Sequence, residues 1–158
     1  MNDSLKMSAA GFELARYCEG LYLVAYLDSR NVPTIGYGRI EYDDGRKVQL
    51  GDTCTAEQAE QWLQEDIEHD GAHYVRAWAK SPLTQNQFDA LTDFTFNRGA
   101  GRLKRLLSMP GNIADNLLTA VPGDTELGLQ RRRRMNRAMY LGQGWEVFKN
   151  WKPGDSHA

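Results

Sequence analysis

Apolar and polar positions run in different rhythms along the chain, and each change of rhythm marks an element. From Ser8 to Glu19, Phe12, Ala15 and Glu19 fall on one side and Leu14 and Cys18 on another. This predicts a short helix capped by Ser8 and stopped by Gly20. Leu21 to Leu27 is an unbroken apolar, β-prone run, and Asp28-Ser29-Arg30-Asn31 is turn material. A hairpin returning through Thr34-Ile35-Gly36-Tyr37-Gly38 follows, and a register with Asp28 opposite Thr34 would put both side chains on one face. Along that face alternation brings Gly36 and Gly38. They leave it bare for a bulky ligand or, on the other reading, mark bulges beside an Asp28 that caps its own turn. Residues 40–53, with Asp43-Asp44-Gly45 in the middle, read as a second hairpin or loop.

Helical spacing then takes over. Thr55-x-x-Gln58 is a capping-box signature, and Ala59, Trp62, Leu63, Asp66, Ile67, Asp70, Tyr74 and Trp78 follow at helical intervals, the polar members near the edge of the stripe. Pro82 ends that segment. Thr84-x-x-Gln87 opens another helix with Phe88, Leu91 and Phe94-Thr95 inward, running into Phe96-Asn97-Arg98-Gly99. Strands early and helices late give an α+β chain.

The candidate chemistry lies in the early part. Glu19 sits at a helix C-terminus, where the helix dipole disfavours ionisation, a property that suits a proton donor. Asp28 lies after eight intervening residues and Thr34 after five more. A carboxylic acid, a carboxylate and a hydroxyl are the groups needed to protonate a leaving oxygen and aim a water, as in glycosidic bond cleavage.

Glu19-Gly20, the Tyr26-x-Asp28 step, Thr34-Ile35-Gly36-Tyr37-Gly38 and the Glu-Asp-Thr spacing together resemble the bacteriophage-type lysozymes (endolysins, glycoside hydrolase family 24). Phe96-Asn97-Arg98-Gly99 and Gly128-Leu129-Gln130-Arg131-Arg132-Arg133 resemble two later segments of that family, so the resemblance covers about residues 8–151. It implies a small hairpin-containing N-terminal lobe and an all-helical C-terminal lobe, joined by a long helix with an active-site cleft between. One lysozyme domain would span 1–158: about 1–80 for the first helix, β lobe and connecting helix, about 81–151 for the helical lobe, and a disordered tail over 152–158. The implied activity is hydrolysis of the β-1,4 bond between N-acetylmuramic acid and N-acetylglucosamine in peptidoglycan. Glu19 would be the general acid, with Asp28 and Thr34 holding the water in an inverting reaction. Gly38, Arg39, Ile40, Phe96 and Asn97 would contact the glycan, and Arg132 would be the partner that tunes Glu19. Phe96 reads equally as a core residue, and Asn97 as a cap on its own helix. A glycan-binding module that does not cut, or a hydrolase of chitin-type glycan, are the alternatives.

The chain departs from the family pattern in three places. Relatives commonly carry Glu four residues after the position of Arg132; here it is Asn136, which removes an exposed i,i+4 pair worth about 0.2–0.5 kcal/mol. Lys104-Arg105 replaces a Ser-Thr ahead of Leu106-Leu107, and Arg39 stands where some members have His.

Charge and composition narrow the field. The run Arg131 to Arg134 invites a nucleic-acid reading, but consecutive helical residues point about 100° apart and the net charge is −2. No nucleic-acid partner is expected, and the remaining arginines read as a solvated face or a contact with anionic wall polymer. With 41% hydrophobic and 25% charged residues in 158, the chain is long enough for one core or two small lobes. No segment reaches the ~18 apolar residues of a membrane span, and Met1 to Met7 has no signal-like apolar stretch. A monomer held in the bacterial cytoplasm until a holin-type pore gives access to the wall is the expectation. Cys18 and Cys54 fit that compartment as reduced thiols, a bridge between them being the minor reading. His69, His73 and His157 form no metal set, and neither a cofactor nor a metal is expected.

Overall fold

The computed structural model describes residues 1–155; His157 and the end of the expected tail lie outside the described residues. Helix α1 (Ala9–Glu19) is followed by strands β1 (Tyr22–Leu27) and β2 (Pro33–Gly36). Helix α2 (Ala56–Ile67) continues through a π-helical turn (Glu68–Ala72) into α3 (His73–Trp78). Helices α4 (Gln85–Arg98), α5 (Ala100–Ser108), α6 (Ile113–Asn116) and α7 (Leu127–Tyr140) and a 3-10 turn (Glu146–Asn150) complete the chain. Two compact units emerge, one of Ala15–Asp66 and one of Met1–Leu14 with Ile67–Ala158. The α+β expectation holds.

In the unit of residues 15–66, β1 and β2 pair antiparallel with Tyr22 opposite Gly36, Tyr26 opposite Thr34 and Leu27 opposite Pro33. Between the first two pairs β1 spends three residues, Leu23 to Ala25, against Ile35 alone. The ladder groups freed by this bulge turn to the other edge: Ala25 donates to the carbonyl of Asp52, and Cys54 donates to that of Leu23. The second hairpin also forms, with Glu41 bridging Lys47 and a turn closed from Gly45 to the Tyr42 carbonyl. Ala25, Ile35 and Val48 make its small core, with Trp62 and Tyr42 packed against it. Cys18 and Cys54 are half-buried thiols with no disulfide, and burial pushes the Cys54 thiol up.

In the other unit the expected capping box is present: Thr84 and Gln87 exchange side-chain and backbone bonds at the start of α4. Thr55 and Gln58 make the same exchange before α2 (2.9 and 3.1 Å). Phe88, Leu91 and Phe94 of α4 meet Val75, Leu103, Leu106 and Leu117 in one core.

The long helical run carries most of its predicted stripe, with Trp62, Asp66, Tyr74 and Trp78 half-buried, but its buried line shifts onto Gly71 and Val75. Ala59, Leu63, Ile67, Gly71 and Val75 are buried whereas Asp70 is exposed. A stride of four outruns the 3.6-residue α turn, and the wider π turn keeps it in phase. Gly71 is obligatory there, because a Cβ would lie 2.8 Å from the Thr92 carbonyl. Residues 152–155, expected to be disordered, close a turn in which Lys152 N–H donates to Asp155 (2.8 Å).

Candidate active site

Glu19 ends α1 and is half-buried. Gly20, with φ of 73°, stops the helix behind it as expected of a C′ glycine. The main chain at Gly38 comes so close that a Cβ there would sit 3.6 Å from Glu19 Oε2. Gly36 and Gly38 have φ of 65° and 110°, and β2 ends at Gly36. The two glycines therefore turn the chain rather than line a strand face. Gly36 is packed against Ala59, where a Cβ would come within 3.3 Å, and a Cβ at Gly38 would reach van der Waals contact with the carboxyl of Glu19.

Asp28 does not sit opposite Thr34. It lies in the turn after β1, and its Oδ1 accepts the backbone N–H of Arg30 and of Val32 (2.8 and 2.9 Å). This is the turn-capping alternative, with Asn31 at φ of 59° inside the turn. The Val32 and Arg30 bonds hold the Asp28 carboxyl below its ordinary range against a smaller opposing effect of burial. Its Oδ2 is 3.5 Å from the exposed guanidinium of Arg30. Thr34, opposite Tyr26, is buried, and its hydroxyl donates to the Val32 carbonyl (2.9 Å). Both groups are therefore acceptors: an ionised carboxylate, and a hydroxyl oxygen whose one proton is already committed.

Arg39 is engaged within the same unit. Its guanidinium forks onto Asp66 (2.7 and 3.4 Å), reaches Asp43 (2.6 Å) and lies 5.3 Å from the centre of the Trp62 ring. Burial works against its charge, but the bonds to Asp66 and Asp43 outweigh that and raise its pKa. Ile40 beside it is exposed.

In the helical unit, Arg132 forks onto Asp93 through Nε and Nη2 (3.0 and 2.8 Å). Asn136 donates to the same carboxylate at 2.7 Å. All three side chains are buried, so position 136 is not the exposed site that its helical spacing suggested. Burial alone would raise the Asp93 pKa; the Arg132 charge and bonds, with Asn136, overcome it and lower it. Arg133 is also buried, donates to Asn97, pairs with Asp124 (3.3 Å) and lies 4.9 Å from the Phe94 ring centre. Burial, with Arg132 next to it, pushes Arg133 down to about 10, still cationic at neutral pH. Arg134 stacks on Trp151 (3.4 Å) and Arg131 donates to the Trp151 carbonyl (2.8 Å). Each arginine of the run is thus engaged within the helical unit, Arg132 and Arg133 buried and Arg131 and Arg134 half-buried. Phe96 and Asn97 are half-buried, and the Asn97 oxygen is held by Arg133.

Two residues escaped the reading of the sequence. Asp93 is hidden in the apolar stripe of α4, where only a lone carboxylate between Leu91 and Phe94 signals it. Tyr26 stood in the Tyr-x-Asp step without a role, although the register sets it beside Thr34. Among the described residues no group of three His, Cys, Asp or Glu side chains is arranged to hold a metal ion. His69 bonds Asp70, and His73 packs edge-on to Tyr74. No helix among the described residues is long and apolar enough to cross a membrane.

The family described as Phage lysozyme matches residues 16–136. The endolysin of Salmonella phage P22 is 36% identical over 146 residues, 87% of this chain and 99% of that protein. An endolysin from the Escherichia coli O157:H7 phage FAHEc1 superposes with a TM-score of 0.72 at 39% identity, covering 87% of this chain and 94% of that one. The crystal structure of a P22 lysozyme mutant gives 0.71 at 34%, covering 87% and 99%.

Proposed function

The chain belongs to the phage lysozyme family, and we propose that it cuts the β-1,4 bond between N-acetylmuramic acid and N-acetylglucosamine. At the coarser level it is a lysozyme-type glycoside hydrolase acting on peptidoglycan. In the proposed reaction Glu19 protonates the glycosidic oxygen. A water attacks the anomeric carbon from the opposite face and passes a proton to Asp28. The acceptor state of the Asp28 carboxylate and of the Thr34 hydroxyl oxygen supports this reading. A water donating to both would turn a lone pair outward, as the attack of an inverting hydrolase requires.

Gly38, Ile40, Phe96 and Asn97 are proposed glycan contacts by family resemblance, and Arg132 is the proposed cation tuning Glu19. For Arg39, engaged by Asp66, Asp43 and Trp62, we propose that it braces the site rather than reads the sugar. The protein is proposed to act as a monomer that reaches the wall from the cytoplasm through a holin-type pore. Product analysis on purified peptidoglycan, with the anomer determined at first turnover, tests the central claim. The expected result is new reducing-end N-acetylmuramic acid in the α configuration, and no product from Glu19→Gln. Retained cleavage by folded Glu19→Gln would remove Glu19 from the role of acid.

A further inference from the structure

Tyr26 is the direct cross-strand partner of Thr34. Directly opposed residues of an antiparallel pair project their side chains to the same face, and a residue two further along the strand joins them. Tyr26 and Thr34 therefore share one side of the hairpin, and Asp28 opens the turn next to that pair, its N–H donating to the Val32 carbonyl. The Tyr26 ring is fixed there by its neighbour: the β1 bulge draws Tyr22 and Tyr26 together, with ring centres 4.1 Å apart. Tyr26 is half-buried, yet its hydroxyl makes no hydrogen bond to any described protein group. A partly desolvated phenol without a protein partner usually has a ligand or water to bond. Burial, Tyr22 and the negative charges of Asp28 and Glu19 all raise its pKa, so it keeps its proton and acts as a donor.

Hydrogen-bond accounting at the water site gives this donor its task. A water that donates one proton to Asp28 and the other to Thr34 keeps two lone pairs. One must point at the anomeric carbon. With only two anchors the water still rotates about the line joining them. We propose that Tyr26 is the third anchor: its hydroxyl donates to the nucleophilic water, so that the one remaining lone pair faces the anomeric carbon. In the step the water oxygen forms the new bond to carbon, its proton passes to Asp28, and the glycosidic oxygen leaves with the proton of Glu19. Tyr26 keeps its own proton throughout. The inference rests on the inverting reading given above.

Steady-state release of reducing ends from purified peptidoglycan, across pH, tests it with the wild type, Tyr26→Phe, Tyr22→Phe and Glu19→Gln. Tyr26→Phe retains the ring that packs on Tyr22, so near-UV circular dichroism should match the wild type. Expected is a kcat lower by roughly ten- to hundredfold, the range for a misaligned reacting atom. KM should be unchanged, both limbs of the pH profile unmoved, and Tyr22→Phe indistinguishable from the wild type. Wild-type kcat in Tyr26→Phe overturns the proposal. A loss confined to KM also overturns it, making Tyr26 a sugar contact, and a displaced pH limb overturns it by making Tyr26 a modulator of the carboxyl groups. Failure of the underlying reading looks different: a wild type that yields no reducing ends, or an active Glu19→Gln.

Discussion

Asn136 donates its side-chain amide to the Asp93 oxygen that also receives Arg132 Nε, at 2.7 and 3.0 Å. The family resemblance leads one to expect a glutamate at 136. Here the carboxylate that neutralises Arg132 comes from α4 instead, and position 136 has become a neutral donor to it. Asp93→Asn should cost about 3–5 kcal/mol, the penalty for breaking a buried, hydrogen-bonded ion pair by removing one partner. Asn136→Ala should cost about 1–3 kcal/mol for a lost hydrogen bond to a charged group. Asn136→Glu would set two carboxylates about one guanidinium and destabilise the protein alone, whereas Asp93→Ser with Asn136→Glu should recover most of the loss. Urea denaturation of the wild type, Asp93→Ser, Asn136→Glu and the double variant, read as a double-mutant cycle, measures the coupling, with Asp93→Asn and Asn136→Ala melted beside them.

A second prediction concerns the contact of Gly38 with Glu19. Alanine at 38 would adopt a φ of 110° and carry its Cβ to 3.6 Å from Glu19 Oε2. The backbone strain should cost about 1–3 kcal/mol. The methyl group also narrows the space beside the proposed acid, so activity should fall further than stability explains. At Gly36 the Cβ would instead meet Ala59 at 3.3 Å. Gly36→Ala should lower Tm with kcat of the folded fraction retained. Thermal melts alongside initial rates of wall lysis separate the two positions.

The Asp28 carboxylate is held down chiefly by the Val32 N–H, and Arg30 contributes less through its side chain. In the proposed reaction Asp28 must be ionised to take the water's proton. Because its pKa is lowered, the loss of activity it causes on acidification should fall below the ordinary value of about 3.9. Arg30→Ala should leave that acid limb nearly in place, since the backbone bonds remain. Rates of reducing-end release between pH 3 and 7 test this, and an acid limb moved far upward in Arg30→Ala would show that the guanidinium is the main cause.

How much of this was legible in the sequence depends on the range of the interaction. Both capping boxes and the Gly20 stop were readable, because each is settled within four residues. The second hairpin was readable for the same reason, with Gly45 at its turn. The pairing of Thr34 was not: the bulge at Leu23 to Ala25 shifts the register, and its cause is the backbone of Asp52 and Cys54 on the far edge. The burial of Arg132 and Arg133 was equally hidden, because the carboxylates that pair with them, Asp93 and Asp124, lie outside α7. Glu19, Asp28 and Thr34 came from their spacing and the resemblance it carries, while the acceptor state of Thr34 needed the Val32 carbonyl to be located.

Asp93 also sets the response of the fold to acid. Its folded pKa is lowered relative to the unfolded chain, so it binds its proton less readily when folded. The stability it contributes is therefore fully present above the unfolded value of about 3.9 and is lost as pH falls through the folded value. The wild type should accordingly hold its urea midpoint down to about pH 4 and lose it steeply below. In Asp93→Asn that contribution is already missing at neutral pH, so the variant should start lower and show a shallower decline over the same interval. Urea midpoints at pH 7, 5, 4 and 3 decide it. Parallel acid curves for the two proteins would mean that other carboxylates, such as Asp28 or Asp115, govern acid unfolding.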